Sequence, residues 1–180
     1  MRNLILALVL FSCSSLSAQS TGDIGVELQI YPTGFIPGIS YDHHIGASSS
    51  LSFRIGANIF DHRDLGVQDD EEGSGFGGSL GYKKYFSEGR TKWHWAVRTD
   101  IWSSDVDWMS VGPQGETLTG ETSITVIQPT ASIGYAFVND RGVYIAPAFS
   151  FGFEWNVRTN GEPTGEGAII LIGVQAGKRF

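Results

Sequence analysis

The chain of 180 residues contains one cysteine, Cys13, and it lies in the opening segment. Disulfide staples and thiolate chemistry are therefore excluded from everything that follows that segment. Positive charge is scarce: 12 Lys and Arg stand against 19 Asp and Glu, a net charge of −7. A nucleic-acid partner calls for a basic face, so no nucleic acid is expected. After the first residues no apolar run approaches the ~18 residues of a membrane helix. Nor does any stretch repeat its apolar residues at helical spacing. If such a chain enters a membrane, it must do so as a closed barrel.

The opening segment reads as an export signal over residues 1–18: Arg2 provides the positive end, "LILALVLF" the apolar stretch, and "SSLSAQ" small residues for cleavage near Ala18. An alternative treats "LFSC" as a lipobox with Cys13 lipidated, although Phe11 stands where a small residue is usual. Residues 19–180 then form one domain, long enough for a sizeable core and too short for two.

Alternation of apolar and polar residues recurs from Ile24 to the last residue, interrupted by turn chemistry, which predicts an all-β chain. Ile24, Val26, Leu28 and Ile30 share one face before "YPTGF" turns the chain, and a second strand is expected from Ile36 to His44. The third, "LSFRIGANIF", sets Leu51, Phe53, Ile55, Ala57 and Ile59 against Arg54, Gly56 and Asn58. The fourth, "GFGGSLGYKKYF", aligns Phe76, Leu80, Tyr82 and Phe86, and the fifth, "WHWAVRTDIW", has Trp93, Trp95, Val97 and Ile101 opposite His94, Arg98 and Asp100. A sixth strand from Ile124 to Phe137 contains Pro129, which cannot donate to a ladder and predicts a bulge or a strand start. "VYIAPAFSFGFEW" and "GAIILIGVQAGKRF" complete a count of eight.

Connections alternate in length. "IGASS", "SEGRTK" and "VNDRG" are short, whereas "DHRDLGVQDDEEGS", the stretch 103–122 and "RTNGEPTGE" are long, with "YPTGF" the exception. Short periplasmic turns and longer external loops are the rule for an outer-membrane up-and-down barrel, whose strand number is even. Alternation has the same period in a soluble lipocalin-like barrel with the opposite sense. Two further patterns favour lipid outside. Glycines fall mostly on the polar face (Gly25, Gly56, Gly75, Gly77, Gly81, Gly134, Gly152, Gly173, Gly177), as suits the inside of a narrow barrel. The same face carries Glu27, Asp42, Asp100 and Glu154 with Arg54, Lys83, Arg98 and Arg179, charges able to pair in a lumen. Aromatics fall into two bands expected to form interfacial girdles: Phe86, Trp93, Trp95, Tyr135, Phe137 and Phe180 at one end, Tyr31, Phe35, Phe60, Phe76 and Trp155 at the other.

The closing "AIILIGVQAGKRF" resembles the C-terminal strand by which the outer-membrane assembly machinery recognises its clients, a terminal aromatic preceded by alternating apolar residues, with Lys178 a departure. The chain from residue 19 onward resembles the small outer-membrane β-barrel proteins, similar in layout to the OmpA transmembrane domain and OmpX-like proteins. This resemblance implies an eight-stranded antiparallel up-and-down transmembrane β-barrel, no cofactor, Phe180 as an assembly signal, and outer-membrane lipid and lipopolysaccharide as surroundings.

No catalytic motif emerges. "GSGFGG", Gly73 to Gly78, matches the letters of a dinucleotide fingerprint but precedes no helix. His43, His44, His62 and His94 lack metal-ligand spacing. A lipid-modifying barrel enzyme would need a base aligned on a nucleophile, and His62 with Asp61 or Asp64 and Ser74 is the sole combination near an external end. The carboxylate run Asp69, Asp70, Glu71 and Glu72 is expected in a solvated external loop, with weak divalent-cation binding or a charged surface contact as its suggested roles. The leading expectation is a non-enzymatic barrel with a filled polar lumen, acting in envelope integrity or surface interaction. The alternatives are the lipid-modifying enzyme and a soluble periplasmic ligand-binding barrel.

Overall fold

The computed structural model describes residues 22–62 and 66–180. The export signal and Cys13 lie outside the described residues. Eight strands follow in order: β1 (Gly22–Tyr31), β2 (Gly34–Gly46), β3 (Ser49–Asp61), β4 (Asp70–Tyr85), β5 (Lys92–Val111), β6 (Thr117–Val138), β7 (Val143–Asn160) and β8 (Gly167–Arg179). Each pairs antiparallel with its chain neighbours, and β8 returns to β1, closing the barrel. At the seam Ile24 faces Lys178 and Ile30 faces Ile172. Beyond the strand itself, Gly22 and Phe180 exchange both backbone hydrogen bonds, at 3.3 and 3.0 Å. Phe180 is thus part of the ladder that closes the barrel.

The apolar face points outward around the ring: Val26, Ile39, Ile55, Leu80, Val97, Ile133, Phe149, Phe151 and Ile172 are all exposed. Asp23, Asp42, Arg54, Lys83, Asp100 and Gln175 are buried on the inside. A soluble barrel would reverse this, so the soluble alternative is excluded by the direction of the side chains. At the end carrying the termini, Phe86, Trp93, Trp95, Phe137 and Phe180 are exposed, and Trp93 meets Tyr135 edge-on at 5.3 Å. At the far end Phe35, Phe76 and Trp155 face outward as expected. Tyr31 and Phe60 do not: both are 7% exposed and point into the barrel, a correction to the second girdle.

The long loops are shorter than the alternation suggested, because β4, β5 and β6 extend through stretches read as loops. β5 continues to Val111 and β6 begins at Thr117, so residues 103–122 are mostly strand. The physical reason is a change of phase. Along β5 the outward residues are Trp93, Trp95, Val97 and Ile101, then Ser103, Asp105 and Asp107, while the inward ones change from Arg98 and Asp100 to Trp102 and Val106. Where the wall leaves an apolar surrounding for water, polar residues move outside and apolar ones inside.

Pro129 causes no bulge. It holds its place opposite Thr99, and the register shift between β6 and β7 falls at Thr125 and Val126 instead. The "GSGFGG" stretch lies within β4, where Gly77 sits opposite Trp102. A Cβ at Gly77 would come within 2.6 Å of the Trp102 ring, so the glycine makes room for an indole inside a narrow barrel.

Candidate functional site

The lumen has two chemically distinct zones. Nearer the termini, inward positions of β1, β3 and β5 bring four charges together. Arg54 donates to Glu27 Oε1 (3.1 Å), Gln29 Oε1 (2.7 Å) and Asp100 Oδ1 (2.8 Å). Arg98 donates to the same Glu27 oxygen at 2.8 Å, and its Nε lies 3.3 Å from Asp100 Oδ1. Two guanidinium groups therefore balance two carboxylates, as a low-dielectric interior demands. Lys83 donates to Asp42 (2.6 Å) and Gln175 (3.0 Å), and Gln175 passes the chain on to Ser40 at 2.8 Å. A polar cavity of about 60 Å³ remains among these groups, room for a few waters.

Arg179 and Asp23 form a separate pair at the terminal end, bidentate at 2.9 and 3.0 Å, with His44 Nε2 2.9 Å from the same carboxylate. Arg179 also donates to the carbonyls of Gly89 and Arg90 in the β4–β5 turn. It joins the first strand, the last strand and a turn across the mouth. His94 is inside against the Tyr85 ring, at 5.1 Å, while His43 is partly exposed beside Tyr41.

Above the charged zone large apolar side chains dominate the lumen, with Asn58, Ser104 and Glu154 interspersed among them. Trp102, Ile36 and Leu171 are fully buried, packed with Val106, Ile124, Val126, Ile169, Tyr31 and Phe60. The Arg54 guanidinium lies 5.3 Å from the Trp102 ring centroid, and Trp102 Nε1 donates to Gln128 at 2.9 Å. The two zones thus meet at one cation–π contact. Sequence reading missed this apolar layer. Its signal was the phase change along β5 and β6, which resembles a loss of strand pattern unless the surrounding medium is known to change.

The far-end mouth is organised by Glu71. This residue was expected in a solvated acidic run, yet it is 1% exposed. Because Asp70, Glu71 and Glu72 lie in β4, consecutive side chains take opposite faces. Glu71 points inward and accepts hydrogen bonds from Val67 N (2.8 Å), Gln68 N (3.0 Å) and Gly165 N (3.0 Å). One carboxylate therefore ties the stretch after β3 to the stretch before β8. Asp69 is occupied elsewhere, accepting from Val111 N at 2.7 Å. The four carboxylates do not converge, and no group of three or more His, Cys, Asp or Glu positioned to hold a metal occurs among the described residues.

A different acidic row exists on the outside. Asp61 pairs with Glu72, Glu72 with Asp107, and Asp107 with Glu121, so four exposed carboxylates cross β3 to β6 in one line. The proposed enzyme constellation is not assembled. His62 is turned to Glu71, at 3.6 Å, whereas Ser74 faces outward on β4, and Asp64 lies outside the described residues. Glu154 is on the inner side of β7 but stands with Tyr31, Asn58 and His62 near the far mouth, away from the arginine pair.

Replacing Glu71 with Ala is expected to loosen both tethered stretches by about 1.5–3 kcal/mol, the scale of hydrogen bonds to a charged acceptor. Amide exchange at Val67, Gln68 and Gly165 should accelerate more than tenfold, and Glu72→Ala should leave it unchanged. Equal rates in the two variants would remove the tether.

No protein-family model matches the chain, and no curated protein matches it. Among solved structures, Ail, the attachment invasion locus protein of Yersinia pestis, superposes with a TM-score of 0.52 at 11% identity, over 89% of this chain and 97% of Ail. The fold is that of a small outer-membrane β-barrel. Ail in complex with the heparin analogue sucrose octasulfate gives 0.51 at 10% identity, over 89% and 97%. The N-terminal β-barrel domain of Pseudomonas aeruginosa OprF gives 0.49 at 11%, over 90% and 98%. Together with an apolar belt facing outward, this fold assigns the chain to the outer membrane. In such barrels the termini lie on the periplasmic side, which makes the far mouth the external one.

Proposed function

We propose that this is a non-enzymatic outer-membrane barrel with a filled lumen that acts through its external surface, in envelope integrity or surface interaction. The observation that carries the reading is the division of the lumen into a charge-balanced zone and an apolar zone, beneath a mouth tied across by Glu71. Eight strands leave an interior that side chains can fill. The external portions of β4, β5 and β6 form a sheet standing above the apolar belt, with the carboxylate row on its outer side. That row repels polyanions, so a sulfated glycan like the heparin analogue solved with Ail does not suit this surface. Phe180, fixed in the seam, is the proposed recognition feature for the assembly machinery, and lipopolysaccharide, its anionic groups bridged to the carboxylate row by divalent cations, is the proposed neighbour of the external wall.

The protein is expected to resist carbonate extraction from membranes and to migrate differently on unboiled detergent gels, because a closed hydrogen-bonded barrel survives detergent. Purified monomer in planar bilayers should show no large stable conductance. Protease added to intact cells should cut near residues 112–116 and spare the turn at residues 86–91. Stable open channels would defeat the filled-lumen reading, and changed lipopolysaccharide acylation in a deletion strain would favour the enzyme.

A further inference from the structure

The barrel wall is incomplete beside the external end of β8. The β1–β8 ladder ends where Ile30 faces Ile172. β1 then turns at Pro32, but β8 begins earlier in the chain, at Gly167, so residues 167–171 are paired only with β7. A cleft of about 280 Å³ occupies the resulting gap, bordered by Tyr31, Pro32, Thr33, Ala168 and Ile170, with Glu154 at its inner side. Gly167 sits opposite Glu154 on β8, and a Cβ there would meet nothing within 4 Å, so the approach to the carboxylate is open.

Glu154 differs from the other inward carboxylates. Glu27 and Asp100 are paired with arginines, Asp42 with Lys83, Asp23 with Arg179 and His44, and Glu71 accepts three backbone N–H groups. Glu154 has no hydrogen bond or ion pair among the described residues; His62, which lines the same cleft, is turned to Glu71 instead, at 3.6 Å. The other acid at the cleft, Glu166, is occupied as acceptor of the Asn156 N–H at 2.9 Å. A carboxylate withdrawn from bulk water and left uncompensated is costly, and a cation that reaches it gains a charge-assisted hydrogen bond in a weakly screened place. Thr33, His62 and Glu166 make one side of the rim polar, whereas the β8 side is apolar through Ala168 and Ile170 and continues into the lipid-facing surface at Ile172.

We propose that the cleft binds an amphiphilic ammonium, with the charged nitrogen on Glu154 and the apolar chain lying over Ala168 and Ile170. This inference does not depend on the surface-interaction reading. The carboxylate selects the cation, and the apolar border selects a chain-bearing one over an inorganic ion.

The test uses the folded protein in phosphatidylcholine nanodiscs, titrated with hexylammonium while the amide signals of Gly165, Gly167, Ala168 and Ile170 are followed by NMR. Hexanol and hexanoate serve as neutral and anionic counterparts. Saturable shifts are expected with hexylammonium alone, at least tenfold weaker in Glu154→Gln and unaffected by Glu72→Gln. Ala168→Trp, which narrows the cleft while leaving Glu154 in place, should weaken binding to a similar degree and decides the matter if the first variant does not fold. Shifts of equal size with hexanol, unaltered binding in either cleft variant, or no saturation in the wild type would each overturn the proposal.

Discussion

Arg54→Met is expected to destabilise the barrel by about 3–5 kcal/mol in denaturant titrations of protein refolded into lipid vesicles, the scale set by removing one partner from a buried ion pair. Arg54 touches Glu27, Gln29 and Asp100 at once, and Asp100 is 0% exposed. Without the guanidinium, Arg98 alone would face both carboxylates, and Gln29 would lose the donor to its carbonyl oxygen. The loss of the stacked cation over Trp102 adds to the cost. Pairing the substitution with Asp100→Asn removes one of the stranded charges, so the double variant should recover part of the loss, and the cycle measures the coupling directly. Glu162→Ala, at an exposed external position, is the appropriate comparator. Glu71 is not, because it is itself buried and engaged. A loss below about 1 kcal/mol for Arg54→Met, the range of exposed ion pairs, would mean that the lumen is wet enough to screen the network.

The second large effect is expected on the opposite face. Val97→Arg and Phe151→Arg each place a charge in the apolar belt, where the parent residues are 47% and 45% exposed, and should cost about 2–4 kcal/mol apiece near the bilayer midplane. The same change at Asp107 should have the opposite sign. Asp107 also points outward, but it lies above the belt between Glu72 and Glu121, so an arginine there replaces two like-charge contacts with two attractive ones. Cross-strand pairs of this kind contribute roughly 0.2–1 kcal/mol each. Three outward-facing substitutions to one residue type thus report the depth at which lipid gives way to water. Harmless changes at both Val97 and Phe151 would contradict the outward assignment of the belt, and a cost at Asp107 as large as theirs would place the acidic row within the membrane.

Much of this architecture was legible in the residues. Period-two alternation from Ile24 onward determined an all-β chain of eight strands, because side chains of a strand take opposite faces whatever lies beyond them. The terminal Phe180 implied a last strand that must be held, and the seam to Gly22 holds it. Glycines and paired charges on one face marked the inside of a narrow barrel, since neither suits a lipid-facing surface. Lumen membership could also be read for Arg54, Arg98, Glu27 and Asp100, since inward positions alternate strictly.

Partnership and depth could not be read in that way. Which carboxylate meets which guanidinium depends on the stagger between strands, and so Glu154, on the same inner face, lies near the external mouth rather than with the arginines. Tyr31 and Phe60 are aromatics near a strand end, as a girdle requires, but their parity directs them inward to the layer around Trp102. The extension of β5 and β6 was hidden because apolar residues exchange faces where the surrounding solvent changes from lipid to water, and a linear pattern carries no record of that boundary. Glu71 is the clearest case. Local composition makes it one of four repelling acids, whereas its partners Val67, Gln68 and Gly165 come together only after the barrel has closed and brought residues about a hundred positions apart to one mouth. Alternation is a local property of the chain, and the tertiary structure alone decides which distant backbone groups a side chain can reach.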